Sequence, residues 1–274
     1  MRLCTLGSGS SGNATWIGGK QGSVLIDAGL SAKVIVQKMF SLGLDPAKLD
    51  GVFLTHEHQD HWRGVAKLLR DYSLPLFTGQ RTYDFLKEKI GQHINFQAVK
   101  EGDVFQLSGL AVKSYGLIHD ALEPYCYRVS EGDVKVAVVT DLGQLDERIA
   151  ELVSRVDALV FEANYDKEML AKSKYPQSLK NRISGGQGHL ANDIAARFLA
   201  KHLDKQCQII LMAHLSENAN TPYKALLSYR QHLLPLLKSN LNLGIAPRHD
   251  VSGMLNINTL TPSSQPTISW SNSA

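Results

Sequence analysis

The run Thr55-His56-Glu57-His58-Gln59-Asp60-His61 places three imidazoles and two carboxylates within six residues, from His56 to His61. The apolar stretch Gly51-Val52-Phe53-Leu54 comes directly before it and predicts a buried strand, so the cluster falls where the chain leaves that strand's carboxyl end. Open α/β sheets bind their ligands at this edge. An exposed turn with incidental histidines is the alternative, but so dense a cluster is improbable by composition. We therefore predict a metal site here.

The spacing of these residues indicates two ions. On an extended segment His56 and His58 point the same way and can hold one ion, while Asp60 and His61 lie beyond the bend and can reach a second. Mixed nitrogen and oxygen ligands suit borderline divalent metals such as zinc. A di-iron redox site would need a glutamate at the third position, but that position is His58, and Glu57 falls on the opposite face.

The run matches His-x-His-x-Asp-His of the metallo-β-lactamase-fold hydrolases, and the chain resembles that family in its remaining motifs. Asp27, after the strand-like Ser23-Val24-Leu25-Ile26, resembles the aspartate that orients the metal loop without binding metal. His119 resembles the third ligand of the first ion, Asp141 the aspartate between the ions, and His214 the last ligand of the second. The implied set is His56, His58 and His119 on one ion, Asp60, His61 and His214 on the other, and Asp141 between them.

Length and composition agree with a single α/β domain. At 274 residues and 43% hydrophobic content the chain can bury one large core, and no Pro/Gly/Ser-rich internal linker divides it. We expect a hydrolase domain over residues 1–258. Residues 259–274 carry no charge and are rich in Ser, Thr and Pro, which predicts a loosely ordered tail.

Several features predict a cytoplasmic protein that does not enter membranes. No segment approaches the ~20 apolar residues that span a bilayer, and the first residues enter a strand without a signal-peptide pattern. Cys4, Cys126 and Cys207 lack a Cys-x-x-Cys spacing, which predicts reduced core thiols. The oligomeric state stays open.

Periodicity alone predicts a mixed α/β sheet protein, and the resemblance implies an αββα sandwich of two mixed sheets flanked by helices. Helix-like segments cover 31–42, 64–72, 147–155, 189–202 and 222–238. Strand-like segments lie near 2–6, 23–27, 51–55, 110–114, 125–129, 134–140, 158–162 and 209–213.

The small-residue turn Gly7-Ser8-Gly9-Ser10-Ser11-Gly12-Asn13 follows the first strand-like segment. A nest of backbone N–H groups there, with Ser8, Ser10 and Asn13, is a candidate phosphate-binding loop. It lacks the Lys-Ser/Thr ending of a P-loop, and no helix-like stretch follows it. The favoured alternative is a tight turn that lets the backbone pass close beneath the metal site.

This opening, with Glu162-Ala163-Asn164-Tyr165-Asp166, Gly188-His189-Leu190 and Ala213-His214-Leu215-Ser216, is similar to the WalJ branch of the fold family, also called YycJ or VicX. The similarity runs from about Arg2 to Ile257. It implies 5′-to-3′ exonuclease activity on double-stranded DNA.

His189 and Asp60 are the candidate catalytic residues. His189 follows a flexible stretch and begins a helical run, so its ring is expected at a positive helix N-terminus beside the metals. In related phosphodiesterases a histidine at this place contacts the scissile phosphate and assists departure of the leaving group. Two metals would acidify one water, so that a hydroxide attacks phosphorus in line. A helix-end histidine with no role is the alternative.

Two further carboxylates are candidates for orienting the metal-bound imidazoles. Asp120 adjoins His119 and Glu162 ends a strand, positions from which each could hold a histidine in one tautomer. An ordinary turn carboxylate is the equal alternative for both.

The substrate is indicated only weakly by charge. Net charge is +3, but Lys174, Lys180 and Arg182 lie in a basic, loop-like segment before His189 that could contact a phosphate backbone. A solvated charged loop is an equally good interpretation. The leading hypothesis is a DNA exonuclease that uses two divalent ions, with zinc favoured and manganese left open. The alternatives are a small-molecule hydrolase for cyclic phosphates, thioesters or lactones, and a regulatory module.

Overall fold

Two β-sheets packed face to face, with helices on their outer surfaces, form the computed structural model, which describes residues 1–91, 94–237 and 241–257. The strands are β1 (Arg2–Gly7), β2 (Ala14–Gly18), β3 (Ser23–Ile26), β4 (Gly51–Phe53), β5 (Leu76–Gly79), β6 (Phe96–Val99), β7 (Val104–Leu107), β8 (Leu110–Gly116), β9 (Tyr125–Glu131), β10 (Val134–Val139), β11 (Ala158–Glu162), β12 (Ile209–Ala213), β13 (Asn242–Ile245) and β14 (Leu255–Asn256). The α-helices are α1 (Ala32–Ser41), α2 (Gln59–Trp62), α3 (Val65–Tyr72), α4 (Gln80–Ile90), α5 (Glu147–Val153), α6 (Lys167–Lys172), α7 (Gln177–Ser184), α8 (Asn192–His202) and α9 (Pro222–Leu237).

Each sheet is mixed, which confirms the predicted fold class. The first has the order β14-β1-β2-β3-β4-β5-β6, and the second β13-β12-β11-β10-β9-β8-β7. Strands β3 to β6 run parallel to one another, as do β10 to β13, while the remaining pairs are antiparallel. The carboxyl ends of the parallel strands therefore meet at one edge of each sheet, where α/β proteins place their sites.

The central core lies between the two sheets. Phe53 of β4 stacks on Phe77 of β5 with ring centroids 4.3 Å apart, and it meets Tyr127 of β9 edge-on at 5.3 Å. All three rings are buried. Two further apolar clusters fill the spaces between each sheet and its outer helices. Because the metal loop leaves β4 just after Phe53, the packing of this core also fixes where that loop begins.

Local signals placed several helix ends correctly. Ser31 caps α1, since its hydroxyl accepts from the Val34 amide at 3.4 Å, and Gly43 follows the helix at φ +70°, where a glycine carries no steric penalty. Asp146 caps α5 in the same way, by accepting from the amides of Arg148 and Ile149. The thiols of Cys4, Cys126 and Cys207 are free and buried, as predicted.

The segment before His189 differs from the sequence prediction. The expected loop forms the two short helices α6 and α7, the first capped by Asp166, whose carboxylate accepts from the Met169 amide at 2.9 Å. The helix expected from His189 begins only at Asn192, because Tyr165 pairs with Ala191 and keeps the chain extended until then. Strands β2, β5, β6 and β7 were missed, because they lack the unbroken apolar run that marked equally short strands such as β12.

Two sequence predictions fall partly or wholly outside the described residues. These are the tail at 259–274 and the last residue of the helix expected over 222–238. Within the described ranges, no helix has the length and apolar character needed to cross a bilayer.

Replacing Phe53 with Ala should lower the free energy of unfolding by about 3–5 kcal/mol, because it opens a cavity between the sheets. Phe40→Ala is the matched control, since Phe40 is 57% exposed on α1 and its replacement should cost under about 0.5 kcal/mol. Urea unfolding followed by circular dichroism measures both. Equal losses in the two variants would contradict this account of the core.

Candidate metal centre

The ends of five strands bring most of the predicted site residues to one edge of the sandwich. Asp27 follows β3 and the run from His56 to His61 follows β4, both in the first sheet. Asp141 follows β10, Glu162 ends β11 and His214 follows β12, all in the second sheet. The site therefore lies where the two sheets face each other, and it takes side chains from both.

Three of these residues have left-handed backbone conformations. Asp27 and Asp141 have φ of 60°, and His214 has φ of 56°. Such a conformation is uncommon for residues other than glycine and costs about 1–3 kcal/mol unless the surroundings impose it. Asp27 and His214 lie directly after a strand, and Asp141 lies one residue beyond one. Strain repeated at three strand ends indicates a functional constraint.

The first donor cluster consists of His56, His58 and His119. Their nearest ring nitrogens all lie within 4.8 Å of one another. Nε2 of His119 is 3.4 Å from Nδ1 of His58, and Nε2 of His56 is buried without a hydrogen-bond partner among the described residues. A buried nitrogen without a partner is costly, and a metal ion would satisfy it.

The second cluster consists of Asp60, His61 and His214. Oδ2 of Asp60 lies 3.6 Å from Nε2 of His61 and 3.5 Å from Nε2 of His214. Asp141 lies between the clusters, with Oδ2 at 3.2 Å from Nε2 of His61 and Oδ1 at 3.9 Å from Nε2 of His119. That Oδ2 is buried and makes no hydrogen bond within the described part of the chain.

The donor set fits two divalent ions. In each cluster three side chains point to one place, and the buried carboxylate of Asp141 lies near both clusters. Imidazole nitrogens with a few carboxylate oxygens are the donors that borderline divalent metals prefer. The structure thus brings together all seven residues predicted as ligands: His56, His58, Asp60, His61, His119, Asp141 and His214.

Asp27 orients the metal loop through Thr55 and His61. Its carboxylate accepts from the Thr55 amide at 2.8 Å, from the Thr55 hydroxyl at 3.0 Å and from Nδ1 of His61 at 2.7 Å. The Thr55 hydroxyl, which donates to Asp27, lies 2.9 Å from Nδ1 of His56 and can accept its proton. Both imidazoles therefore turn Nε2 toward the cluster. The sequence analysis assigned Thr55 no role, although its position directly before His56 could have indicated one.

Glu162 holds two histidines from the second sheet. Its Oε1 lies 2.7 Å from Nδ1 of His189 and 3.3 Å from Nδ1 of His214. Its Oε2 accepts from the amides of Leu142 and Leu190, at 2.9 and 3.3 Å. Glu162 is fully buried, so these bonds fix the carboxylate and, through it, both rings. This is the orienting position that the sequence indicated for Glu162.

Asp120 does not hold the imidazole that it was expected to orient. Nδ1 of His119 faces the backbone carbonyl of Gly188 at 3.1 Å, and that carbonyl takes the role. Asp120 lies on the other side of the ring, with Oδ1 at 3.2 Å from Nε2 of His119. Its Oδ2 accepts from Nε of Arg182 at 2.5 Å. The reason is the path of the Gly-rich loop before His189, which passes behind His119.

The small-residue turn supports the site from beneath, and Ser8 and Asn13, predicted as phosphate-binding residues, make hydrogen bonds within the protein. The Ser8 hydroxyl accepts from the His214 amide at 2.8 Å. Oδ1 of the Asn13 side chain accepts from the Gly9 amide at 2.7 Å, and the backbone amide of Asn13 donates to the Asp60 carbonyl at 2.8 Å. Both side chains are buried in these bonds, whereas Ser10 is exposed.

The backbone passes so close beneath the metal loop that only glycine fits at position 29. A Cβ built on Gly29 would lie 1.6 Å from the Asp60 carbonyl oxygen. Gly29 also contacts the small-residue turn, since its amide donates to the Asn13 carbonyl at 2.8 Å. This close backbone approach fits the favoured alternative, a tight turn beneath the site.

The three predicted basic contacts differ in their surroundings. Lys174 is exposed, while Nζ of Lys180 donates to the Ala171 carbonyl at 2.6 Å. Arg182 is bound to Asp120, and its side chain remains 59% exposed. Among the three, Arg182 thus lies nearest the donor clusters.

The two clusters differ in charge. Burial, with neighbouring His61, holds the pKa of His56 well below its usual value, and burial also lowers the pKa of His119. Burial also acts to lower the pKa values of His61 and His214, but the adjacent carboxylates raise them by more. The pKa of His61 is raised well above its usual value, and that of His214 is raised to about 10. His56 and His119 thus present neutral imidazoles, which can bind a metal directly.

Comparison with known proteins agrees with this geometry. The family model described as beta-lactamase superfamily domain matches residues 23–210. The chain is 34% identical over 235 residues to exodeoxyribonuclease YycJ of Bacillus anthracis, covering 85% of this chain and 89% of that one. It is 31% identical over 244 residues to exodeoxyribonuclease WalJ of Streptococcus pneumoniae, covering 88% and 90%.

Solved structures share the fold at low identity. The metallo-beta-lactamase fold protein YhfI of Bacillus subtilis superposes with a TM-score of 0.69 at 17% identity, covering 91% of this chain and 97% of that one. The short form of human tRNase Z has a TM-score of 0.63 at 18% identity, covering 95% and 100%. These similarities confirm the architecture.

Asp27→Asn should weaken zinc binding about 10- to 100-fold, because an amide cannot accept from both Thr55 and His61 as the carboxylate does. Competition with a chromogenic chelator measures the affinity. Asp45→Asn, at the exposed N-cap of the short 3₁₀-helix Pro46–Lys48, is the matched control and should bind zinc normally. Normal affinity in Asp27→Asn would show that the metal loop holds its shape without this carboxylate.

Proposed function

The chain belongs to the β-lactamase superfamily, and from that premise we propose that it is a dinuclear metal-dependent phosphodiesterase acting as a 5′-to-3′ DNA exonuclease. One observation carries the proposal: Asp141 lies between two three-residue donor clusters, and His189 adjoins them in a group with Asp141, Glu162 and His214. Both relatives named above are exodeoxyribonucleases, and the similarity covers nearly their whole length.

The chain's own residues supply positioning and proton transfer around the reacting phosphate. When bound, two divalent ions would supply an activated water and neutralise developing charge on the phosphate. His56, His58 and His119 would hold one ion, Asp60, His61 and His214 the other, with Asp141 shared. Asp60, predicted as catalytic as well as a ligand, is less buried than His61 and so reaches the open side of the site.

His189 is placed to assist the leaving group. Its ring centroid lies 5.3 Å from that of His119 and 5.2 Å from that of His214, so it adjoins both clusters. Glu162 binds Nδ1, which leaves Nε2 as the nitrogen available to substrate. The side chain keeps 18% exposure. An imidazole held this way can donate a proton to the departing alkoxide oxygen.

Zinc is the metal that the donors favour. Imidazole nitrogens predominate in both clusters, and nitrogen-rich sets suit zinc better than manganese. Manganese stays the alternative, since Asp60 and Asp141 add two carboxylates. Activity of metal-free protein restored with each ion in turn decides between them.

DNA is favoured as substrate by the relatives and by the basic residues near the site. Arg182 is bound to Asp120 through Nε and keeps its terminal guanidinium nitrogens for a phosphate. Lys174 and Lys180 lie on the same segment, farther along the chain from His189. The regulatory-module alternative leaves the complete donor set unexplained, because a binding protein has no need of every ligand.

His189→Ala should keep both metals but lower kcat on DNA about 10²- to 10⁴-fold, because the leaving group then departs without a proton donor. His202→Ala, at the opposite end of α8, is the matched control and should act normally. Single-turnover cleavage of end-labelled duplex, with metal content from elemental analysis, measures the effect. Full turnover in His189→Ala would make this residue a bystander.

Lys174→Gln combined with Lys180→Gln should weaken DNA binding and flatten the dependence of log Kd on log salt by about one unit per lost phosphate contact. Lys201→Gln with Lys205→Gln, near the amino end of β12 and away from the site, is the charge-matched control. Fluorescence anisotropy over a salt series gives both slopes. Equal slopes in the two double variants would exclude this segment from the DNA surface.

A further inference from the structure

An open groove of about 610 Å³ adjoins the metal centre on the side of His58. Its lining consists of Glu57, His58, Gln59, Trp62, Phe85, Lys89 and Leu122. Phe85 and Leu122 are large apolar side chains that are 48% and 36% exposed. Exposed apolar groups gathered in one concave place mark a binding site. Because His58 belongs to both the groove and the first donor cluster, a ligand here would lie next to the reacting phosphate.

Glu57, which has no part in the donor set, builds this groove. Its Oε1 accepts from the Leu122 amide at 2.8 Å, and its backbone carbonyl accepts from the Trp62 indole at 2.8 Å. Thr82 of α4 approaches its Oε2 at 3.5 Å. The residue thus links the metal loop to the loop that carries Leu122 and to the helix that carries Phe85. The strand-like alternation that turns His56 and His58 to the metals turns Glu57 to the groove.

The groove combines aromatic surface with positive charge. Nζ of Lys89 lies over one face of the Phe85 ring, 4.0 Å from its centroid, and 5.7 Å from the centroid of Trp62, so a base would stack on the other face of Phe85. Planar rings beside an ammonium group match a nucleobase and its phosphate, since a base stacks on the ring and the cation meets the phosphodiester. An apolar peptide or a lipid chain would gain nothing from that ammonium.

We propose that this groove binds the unpaired base of the terminal nucleotide of a DNA strand, stacked on Phe85 and Trp62 beside the scissile phosphate. The inference rests on the proposed nuclease function and names how that site takes its substrate. Removing nucleotides from a duplex end requires the last base to leave its stack, at a cost of a few kcal/mol. Stacking in the groove offsets that cost and brings the phosphodiester to His58.

The test pairs a change in the groove with a change in the substrate. Two end-labelled duplexes are compared, one ending in a normal nucleotide and one ending in an abasic residue at the attacked terminus. For the parent protein, the abasic end should lower kcat/KM about 5- to 150-fold, the ratio that corresponds to one base–aromatic stack. In Phe85→Ala the two duplexes should be cleaved at nearly equal kcat/KM, because the stacking surface is gone.

Two further variants separate stacking from damage to the fold. Phe85→Tyr keeps an aromatic face and should retain the full abasic penalty. Phe40→Ala removes an exposed phenylalanine on α1, and should retain both the penalty and the parent rate on normal DNA. Because the readout is a ratio between two substrates for one protein, a general loss of activity in Phe85→Ala does not imitate the expected result.

The outcomes distinguish this inference from the function on which it rests. An abasic penalty of the same size in Phe85→Ala and the parent would overturn the groove proposal while leaving the exonuclease intact. A parent protein that cleaves bis-p-nitrophenyl phosphate but no DNA would overturn the exonuclease, and with it the proposed occupant. Loss of the penalty in Phe85→Ala alone, with Phe40→Ala and Phe85→Tyr unchanged, supports the groove as the site of the terminal base.

Discussion

The contact between the Asp27 carboxylate and the loop after β4 is the constraint on which the metal centre depends. Strands β3 and β4 are parallel neighbours, and the Asp27 amide donates to the Phe53 carbonyl at 2.8 Å. That pairing carries Asp27 to Thr55 and His61, which its carboxylate then holds. Burial raises the pKa of Asp27, although His61 and Thr55 act against the shift. An unpaired carboxylate here would be costly, so loop and acid stabilise each other.

The second sheet repeats this device with Glu162. Its buried carboxylate binds His189 and His214, while backbone amides hold its other oxygen. Each sheet therefore contributes one orienting acid, and the metals would lie between the two. The rings of His61 and His214, one from each sheet, have centroids 6.0 Å apart. That separation depends on the apolar layer between the sheets, which makes sandwich packing part of the active-site geometry.

Polar burial and backbone strain concentrate at this edge, and the rest of the fold offsets their cost. Left-handed residues at three strand ends would each be unfavourable in isolation. They persist because the strands before them are buried on both faces, apart from the partly exposed Lys135, and are held by their neighbours. The arrangement is rigid around the donors, whereas the aromatic groove beside His58 stays exposed. Rigid donor residues thus adjoin an accessible surface at this edge.

The sequence predicted the centre of the candidate site from its histidine-rich run, and the family resemblance supplied the remaining donors. Six consecutive residues, His56 to His61, contain four of the predicted donors. The buried strands are recognisable as apolar runs, which are followed by Asp27, Asp141 and His214. These signals are local, so they survive without knowledge of the fold. The resemblance to a family then supplied the two-sheet architecture, which periodicity alone left as a mixed α/β protein.

The groups that hold the donors in place become visible only in the folded chain. The Ser8 hydroxyl meets the His214 amide across 206 residues of chain, and the Gly188 carbonyl, not Asp120, faces Nδ1 of His119. Glu57 likewise became a groove-building residue through contacts with distant loops. Hydrogen bonds between remote segments depend on how the sheets pack and where loops run, and a short polar side chain looks the same in sequence whether or not it makes one.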